Sequence, residues 1–243
     1  MIDLFSAAEL EGRTPEQILA WAYRTFGRVA LVASFQVESS VLIDMAARVV
    51  DRPEVLTVDT GRLPEETHEM MDRIRQRYDI RLRVLTPEPD DVAELVGAGG
   101  PYLFRSSIEE RKRCCEVRKV LPLRKALTGY DAWVTGLRRD QSDQRSGTPI
   151  VQPDKGHGGI AKVAPLAGWS RDQVWAYVRA NGLDYHGLYD RGYRSIGCAP
   201  CTRSVAPDED ERAGRWWWEQ SDVKECGLHV TDEGLVPARH VSR

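Results

Sequence analysis

The sequence predicts an α/β protein with a mostly parallel, twisted sheet and helices on both faces. Short apolar runs alternate with helical patterns between residues 29 and 135, as in folds with parallel strands. The 243-residue chain is long enough for a full core, and its 42% hydrophobic and 29% charged residues are close to globular averages. In such folds ligands bind beyond the carboxyl ends of the strands.

The individual elements follow from local patterns. Thr14-Pro15-Glu16-Gln17 forms a capping box with proline at the first helical position, and predicts a helix to about Tyr23. Ser170-Arg171-Asp172-Gln173 is a second capping box, whose helix should stop at Asn181-Gly182. Strands are predicted at 29–33, 55–58, 80–85 and 133–135, and helices at 41–47, 64–78 and 108–125. We expect residues 138–162, rich in glycine, proline, serine and aspartate, to form a long surface loop.

Charge and hydropathy exclude several classes of function. The formal charge is -3, which gives no general attraction to nucleic acid. The start of the chain, Met1 to Phe5, lacks the basic and apolar pattern of a signal peptide, and the apolar runs are too short to span a bilayer. We therefore expect a cytoplasmic protein with no membrane partner. The oligomeric state is left open, a homo-oligomer included.

Four of the five cysteines occur as two pairs, Cys114-Cys115 and Cys198-Ala199-Pro200-Cys201. Adjacent residues have Cα atoms about 3.8 Å apart, which is below the usual range for a disulfide. A shared metal site explains the pairs better, since thiolates suit both zinc and iron-sulfur clusters. Spacing alone does not choose between a zinc knot and a cluster.

Cys226 is separate, in the segment Lys224-Glu225-Cys226-Gly227-Leu228-His229 near the end of the chain. Lys224 and His229 could stabilise its thiolate, and a thiol near a terminus can meet a second protein. An isolated cysteine in this position is also often incidental.

Two strand ends carry candidate ligand-binding residues. The segment from Ser34 through Phe35 to Ser39 lies between a strand and a helix, where free N–H groups favour an anion, but it lacks the glycines and lysine of a Walker loop. Val58-Asp59-Thr60-Gly61 ends the next strand, and it could equally be a tight strand-to-helix turn.

Several cations could bind phosphate or sulfate oxygens. Guanidinium groups suit these anions because they donate two parallel hydrogen bonds, and a lysine near the cysteine pair offers a point charge. Most such residues merely solvate a surface. The candidates are Lys119, Arg138, Arg139, Arg145, Arg212 and Arg215. The neighbouring Trp216-Trp217-Trp218 is expected to anchor the tail by packing.

Together these residues resemble the phosphosulfate reductase family, in its cluster-containing assimilatory adenylyl-sulfate (APS) branch, which depends on thioredoxin. The resemblance runs from the Ser34 loop to His229. Its most specific segments are Cys114-Cys115-Glu116-Val117-Arg118-Lys119, Cys198-Ala199-Pro200-Cys201, Arg212-Ala213-Gly214-Arg215-Trp216 and Glu225-Cys226-Gly227-Leu228-His229.

The resemblance implies a fold like that of the adenine nucleotide α-hydrolases, which is related to the PP-loop pyrophosphatases. It implies one 4Fe-4S cluster on Cys114, Cys115, Cys198 and Cys201. It also implies that Cys226 attacks the sulfur of adenosine 5'-phosphosulfate and that thioredoxin then releases sulfite. Lys119, Arg212, Arg215 and His229 would surround the phosphosulfate, with Arg145 as a further clamp. The nucleotide would be bound by Ser34, Phe35, Ser39, Val58, Asp59 and Leu85.

On this basis we predict a nucleotide- and cluster-binding domain at residues 1–205 and a C-terminal segment, 206–243, with the catalytic cysteine. Three alternatives are weighed against it: reduction of 3'-phosphoadenylyl sulfate, a PP-loop tRNA thiolase, and a non-enzymatic metal-binding module. The acidic balance and the segment around Cys226 argue against the thiolase. The module leaves Cys226 and the strand-end loops unexplained.

Overall fold

A computed structural model describes residues 9–220, in which six strands form one sheet. Their spatial order is β3-β2-β1-β4-β6-β5, and every neighbouring pair is parallel except β5 with β6. The mostly parallel sheet predicted from the sequence is confirmed. The strands are β1 (Val29–Val32), β2 (Glu54–Val58), β3 (Arg81–Leu85), β4 (Ala132–Val134), β5 (Val151–Asp154) and β6 (Ile160–Val163).

Helices connect these strands and cover the sheet. The α-helices with described boundaries are α1 (Pro15–Thr25), α2 (Val37–Val49), α3 (Glu65–Arg77), α4 (Pro89–Gly99), α5 (Ile108–Cys115), α6 (Leu121–Leu127) and α7 (Arg171–Ala180). A π-helical turn, Glu116–Val120, joins α5 to α6, so the predicted helix at 108–125 is one helical segment with a π insertion. No helix among residues 9–220 has the length and apolar content that a bilayer span requires.

Both predicted capping boxes start helices where expected. The Thr14 hydroxyl accepts a hydrogen bond from the Gln17 backbone N–H, and the Gln17 side chain accepts one from the Thr14 N–H. Ser170 and Gln173 form the same reciprocal pair at α7. Helix α7 ends at Ala180, directly before the predicted stop.

The two faces of the sheet belong to different apolar cores because side chains alternate along a strand. On β1, Leu31 faces the larger core, which is packed by α1, α2, α3 and α7. The adjacent Ala30 faces a smaller core, where Leu123 and Leu127 of α6 cover the sheet. The sheet is thus covered on both sides, as predicted.

The expected long loop at residues 138–162 is wrong in part. It contains β5 and most of β6, an antiparallel pair closed by a short turn at Lys155–His157. The register pairs Val151 with Val163, so β6 extends the parallel sheet and β5 forms its edge. Pro153 lies in this edge strand, where a missing N–H is tolerated.

The strand order reverses between β1 and β4. The chain first proceeds from β1 to β2 and β3 on one side, and then returns to place β4 on the other side of β1. A crevice at the carboxyl ends is expected at such a switch point. Beyond the sheet, Thr202 forms a β-bridge with Arg215, and Trp216 is buried. Arg215 and Trp216, beyond the predicted boundary, therefore pack on the rest of the chain, and the domain boundary at 205/206 stays a prediction.

Candidate active site

A cleft opens at the switch point between β1 and β4. The ends of β1, β2 and β4 form its floor, through Val32, Val58 and Trp133. Its walls are the loop before α2, the turn after α5 and the segments 195–197 and 211–215. Among the predicted substrate-site residues, the structure brings together Ser34, Ser39, Val58, Lys119, Arg145, Arg212 and Arg215 in the lining of this cleft.

The loop before α2 has an unusual backbone. Phe35 has φ +56°, a left-handed conformation that side chains other than glycine seldom adopt and that often marks functional loops. The Ser34 N–H donates to the Ser39 hydroxyl at 3.1 Å. Gln36 caps α2 without a side-chain hydrogen bond to the helix; its side chain instead accepts from the Ile196 N–H at 2.7 Å. The loop is therefore tied to the opposite wall of the cleft.

Three predicted nucleotide contacts lie elsewhere. The side chains of Phe35 and Leu85 are buried in the two apolar cores and do not line the cleft. Asp59 accepts from the Gly61 N–H at 2.8 Å and lies 3.0 Å from Nε2 of His68. It lines a separate cavity with Thr86 and Arg118, beyond the ends of β2 and β3.

The π-helical turn places two neighbouring cations in different surroundings. The Leu121 N–H bonds to the carbonyl of Glu116, five residues earlier, and π turns of this kind are frequent at functional sites. Lys119 lines the cleft. Arg118 is buried, and its guanidinium donates to the backbone carbonyl of Thr60 at 2.8 Å. The π-helical turn thus places Lys119 in the cleft and Arg118 in the protein interior, where Arg118 stabilises the fold.

Two candidate arginines are engaged in ion pairs. Arg138 is fully buried; it donates to Glu38 at 3.0 Å and also contacts Asp140 and Glu211. Arg139 pairs with Glu11 at 2.6 Å. Neither arginine is among the cleft-lining residues, and the carboxylate partners of both lie within the fold.

Glu211 brings a carboxylate into the cleft wall. Burial and the nearby Glu38 together raise the pKa of Glu211 to about 7, against the opposing effect of Arg138. The carboxyl group therefore titrates near neutral pH beside Arg212. Sequence reasoning missed Glu211, because nothing in the pattern marks an acidic residue there as buried.

The four paired cysteines are brought into one apolar cluster. Cys114 and Cys115 end α5, and Cys198 and Cys201 flank a short 3-10 turn. The four are free thiols, packed with Leu95, Leu103, Phe104 and Trp216. The Thr60 hydroxyl lies 3.2 Å from Sγ of Cys198. Within residues 9–220, no three histidine, cysteine or acidic side chains converge as they would on a single metal ion.

The chemistry of this donor set fits a thiolate-bound metal group. Burial, followed by the neighbouring Cys198, raises the pKa of Cys201 to about 12, while Arg215 and Lys119 oppose the shift. Burial likewise raises the pKa of Cys114. Cys114 and Cys201 thus lose their protons only with difficulty, and a bound cation stabilises soft sulfur donors of this kind as thiolates.

The remaining predicted residues, Cys226 and His229, lie outside the described residues. Besides Glu211, sequence reasoning missed Ser195, Ile196 and Gly197 in the cleft wall, and Trp133 in its floor. In the sequence, the position of Gly197 directly before the predicted metal ligand Cys198 was a signal that could have revealed this part of the wall. The indole N–H of Trp133 donates to Asp154 at 2.9 Å. Asp154 lies on β5, a strand that the sequence analysis did not predict.

Comparisons with known proteins agree with this arrangement. A family profile described as the phosphoadenosine phosphosulfate reductase domain matches residues 28–204. The adenosine 5'-phosphosulfate reductase of Allochromatium vinosum is 42% identical over 213 residues, which cover 88% of this chain and 83% of that protein. The protein of the same name from Burkholderia cepacia is 48% identical over 184 residues, covering 76% of this chain and 73% of that one.

The fold is similar to that of a solved relative. The phosphoadenylyl-sulfate reductase of Candida auris, in a phosphate complex, superposes with a TM-score of 0.71 at 24% identity, covering 84% of this chain and 98% of that one. Yeast FAD synthetase reaches a TM-score of 0.57 at 15% identity, covering 82% and 67%. These likenesses confirm the predicted α/β fold.

Proposed function

Because the chain belongs to the phosphoadenosine phosphosulfate reductase family, we propose that it reduces adenosine 5'-phosphosulfate to sulfite and AMP in sulfate assimilation. The observation that carries this proposal is a cleft at the switch point of the sheet, lined by Lys119, Arg145, Arg212 and Arg215 and adjacent to four cysteines. A phosphosulfate is a compact dianion, and clustered cations suit it.

We assign one 4Fe-4S cluster to Cys114, Cys115, Cys198 and Cys201. Zinc needs four sulfurs about 2.3 Å from a single centre, whereas in a four-iron cluster the thiolates bind different irons. The cysteines share one apolar cluster, and the resemblance of their two sequence segments to the cluster-containing branch of the family favours the four-iron group. When bound, the cluster supplies the positive charge that keeps its ligands deprotonated and links α5 to the Cys198 turn.

The proposed reaction begins at Cys226. Its thiolate attacks the sulfur of the substrate; an S–S bond forms, the bond from sulfur to the phosphate oxygen breaks, and AMP leaves. Lys119, Arg212, Arg215 and His229 would stabilise the charge that accumulates on the oxygens. The Cys226 S-sulfonate then needs two electrons.

We assign these electrons to thioredoxin. One of its thiolates attacks Sγ of Cys226 and displaces sulfite, leaving a mixed disulfide. The second thioredoxin thiol breaks that disulfide, which regenerates Cys226 and yields oxidised thioredoxin. Thioredoxin is a cytoplasmic reductant, so the proposal also places the protein in the cytoplasm.

Anaerobic turnover tests the proposal. The full chain is incubated with reduced thioredoxin and either adenosine 5'-phosphosulfate or its 3'-phosphorylated form, and sulfite and AMP are measured. We expect sulfite from the first substrate only. Without thioredoxin, one AMP should leave per site and a sulfonate should remain on a peptide containing Cys226.

The matched variant is Cys226→Ser, which keeps every proposed cluster ligand. A hydroxyl is a much weaker nucleophile than a thiolate, so this variant should bind nucleotide and form no sulfite. Steady sulfite release by Cys226→Ser, or a sulfonate on another cysteine, contradicts the mechanism. Turnover of only the 3'-phosphorylated substrate contradicts the assigned specificity.

A further inference from the structure

Arg215 differs in its partners from Arg111 and Arg138, the two buried arginines that pair with carboxylates. Its side chain is buried and lines the cleft. Nη1 donates to the Ser195 hydroxyl at 3.4 Å and to the Ile196 carbonyl at 3.3 Å. Nε has no hydrogen-bond partner, and among residues 9–220 no carboxylate forms an ion pair with this guanidinium. A buried cation that no carboxylate neutralises is costly, so neighbouring groups must hold it in place and an anionic ligand in the cleft would stabilise it.

The Trp216 indole lies against this guanidinium. Cζ of Arg215 is 4.7 Å from the ring centroid, and Cζ of Arg111 is 4.3 Å from the same centroid. Both distances are within cation–π range, which is most favourable for a tryptophan removed from water. Trp216 is 1% exposed and has φ +42°, a backbone strain that the surrounding contacts must offset.

Arg111 and Glu219 fix the far side of this arrangement. Nε of Arg111 donates to Oε1 of Glu219 at 2.8 Å, and Nη2 donates to Oε2 at 3.1 Å. Both side chains are almost fully buried. Such a two-point pair sets the orientation of the guanidinium plane. Trp216 is therefore fixed from the α5 side and presents its ring to Arg215.

Gly197 provides the space that the Arg215 guanidinium occupies. A Cβ at this position would lie 2.3 Å from Nη2 and 2.6 Å from Cζ of Arg215. The clashing atoms are the end of a flexible side chain, so alanine here would displace the guanidinium rather than the backbone.

We infer that Trp216, fixed by the Arg111–Glu219 pair, is a positioning residue that holds Arg215 in the cleft for an anionic ligand group. The identification of that group as the phosphosulfate rests on the proposed function. The positioning of Arg215 by Trp216 should favour binding of any nucleotide that carries two adjacent anionic groups.

A double-mutant cycle in ADP binding tests the inference without turnover. ADP is titrated calorimetrically into the full chain, purified anaerobically. Arg215→Ala should weaken ADP binding about tenfold or more, the value of a charge-assisted hydrogen bond. Trp216→Leu should weaken it about tenfold through loss of the ring contact. In the Arg215→Ala background, Trp216→Leu should cause no further loss.

Three further variants make the test specific. Trp216→Phe keeps an aromatic face and should restore most of the affinity lost in Trp216→Leu. Gly197→Ala should weaken ADP binding while leaving the unfolding midpoint nearly unchanged. The control is Trp217→Leu, because Trp217 is 39% exposed and packs edge-to-face against Trp218 rather than against an arginine of the cleft. This variant should bind ADP as the wild type does.

The inference is wrong if Trp216→Leu weakens ADP binding equally in the wild-type and Arg215→Ala backgrounds. It is also wrong if Gly197→Ala binds ADP with wild-type affinity, or if the wild type does not bind ADP. If Trp216→Leu does not fold, the cycle is run with Trp216→Phe and Glu219→Gln under the same criteria. A protein that shows the expected coupling but releases no sulfite from adenosine 5'-phosphosulfate refutes the proposed function and leaves the positioning intact.

Discussion

Lowering the pH from 7.5 to 5 should destabilise the fold through His186, which is fully buried behind the cleft wall. The Leu188 N–H donates to Nδ1 of His186 at 3.2 Å, so this nitrogen carries no proton. Nε2 lies 2.9 Å from the hydroxyl of Thr67, a cleft-lining residue. Protonation of Nδ1 would place two N–H donors against each other. The structure therefore holds the neutral imidazole.

The magnitude follows from the pKa. Burial, with a smaller effect of Arg73, lowers the pKa of His186 from 6.5 to about 4. The unfolded chain then binds more protons than the folded one between these values, so stability is complete above pH 6.5 and is lost as the pH falls towards 4. The loss is about 1.4 kcal/mol at pH 5.5, about 2 kcal/mol at pH 5 and about 3 kcal/mol in the limit.

Urea unfolding under anaerobic conditions at pH 7.5, 6.5 and 5.5 measures this loss. Because other groups also titrate in this range, the wild type is compared with His186→Gln. Between pH 7.5 and 5.5 the free energy of unfolding of His186→Gln should fall by about 1.4 kcal/mol less than that of the wild type. His68→Gln removes a half-exposed histidine from α3, the helix that carries Thr67, and serves as the control. Equal pH dependence in the wild type and His186→Gln, or an NMR titration showing a cationic His186 imidazole at pH 5.5, would refute the reasoning.

Three other perturbations have defined outcomes. Lys119→Gln should slow formation of the Cys226 sulfonate, measured by AMP release, about a hundredfold, as loss of one charge-stabilising donor does. The control Lys112→Gln, on the exposed side of α5, should leave the rate unchanged. Equal rates for the two variants would show that Lys119 does not contribute to the reaction. Cys201→Ser should lose iron and the absorbance of the cluster, whereas Cys226→Ser should retain both; full iron content in Cys201→Ser, measured by metal analysis, would exclude it as a ligand. Tyr177→Phe should lower the free energy of unfolding by about 1–3 kcal/mol, because the Tyr177 hydroxyl donates to the buried Asp44 at 2.7 Å. The control Tyr23→Phe should change it little, because the buried Tyr23 hydroxyl has no hydrogen-bond partner in the described part of the chain. Equal urea midpoints for the two variants would contradict this prediction.

Local patterns predicted the helix starts and the parallel strands well because their causes are local. Thr14 and Ser170 satisfy backbone donors within one turn, and the apolar runs at β1 and β2 need no distant partner to be recognised. The β5–β6 pair was missed because Gln152 and Pro153 interrupt the apolar pattern of β5 and Lys162 interrupts that of β6. Its pairing depends on β4, which is not visible in the local sequence.

The cations of the site show where sequence reasoning stops. Arg138 and Arg215 belong to equally plausible motifs, yet Arg138 is neutralised by Glu38 and Glu211, whereas Arg215 stacks on Trp216 and faces the cleft. The partners of Arg138 are 100 and 73 residues away in the chain. Which arginine remains available to a ligand is therefore a property of the tertiary structure.

The cysteine cluster and the cleft share their supporting residues. Arg118 and Lys119 follow Cys115 in one continuous helical segment, so the residues that hold sulfur and the residue that faces the cleft cannot move independently. Thr60, at the end of β2, bonds through its carbonyl to Arg118 and through its hydroxyl contacts Cys198. Thr60 thus contacts Cys198 directly and reaches the Cys114–Cys115 segment through Arg118. A group bound to the four sulfurs would therefore fix the position of Lys119 and of the chain that follows β2, and so shape the cleft.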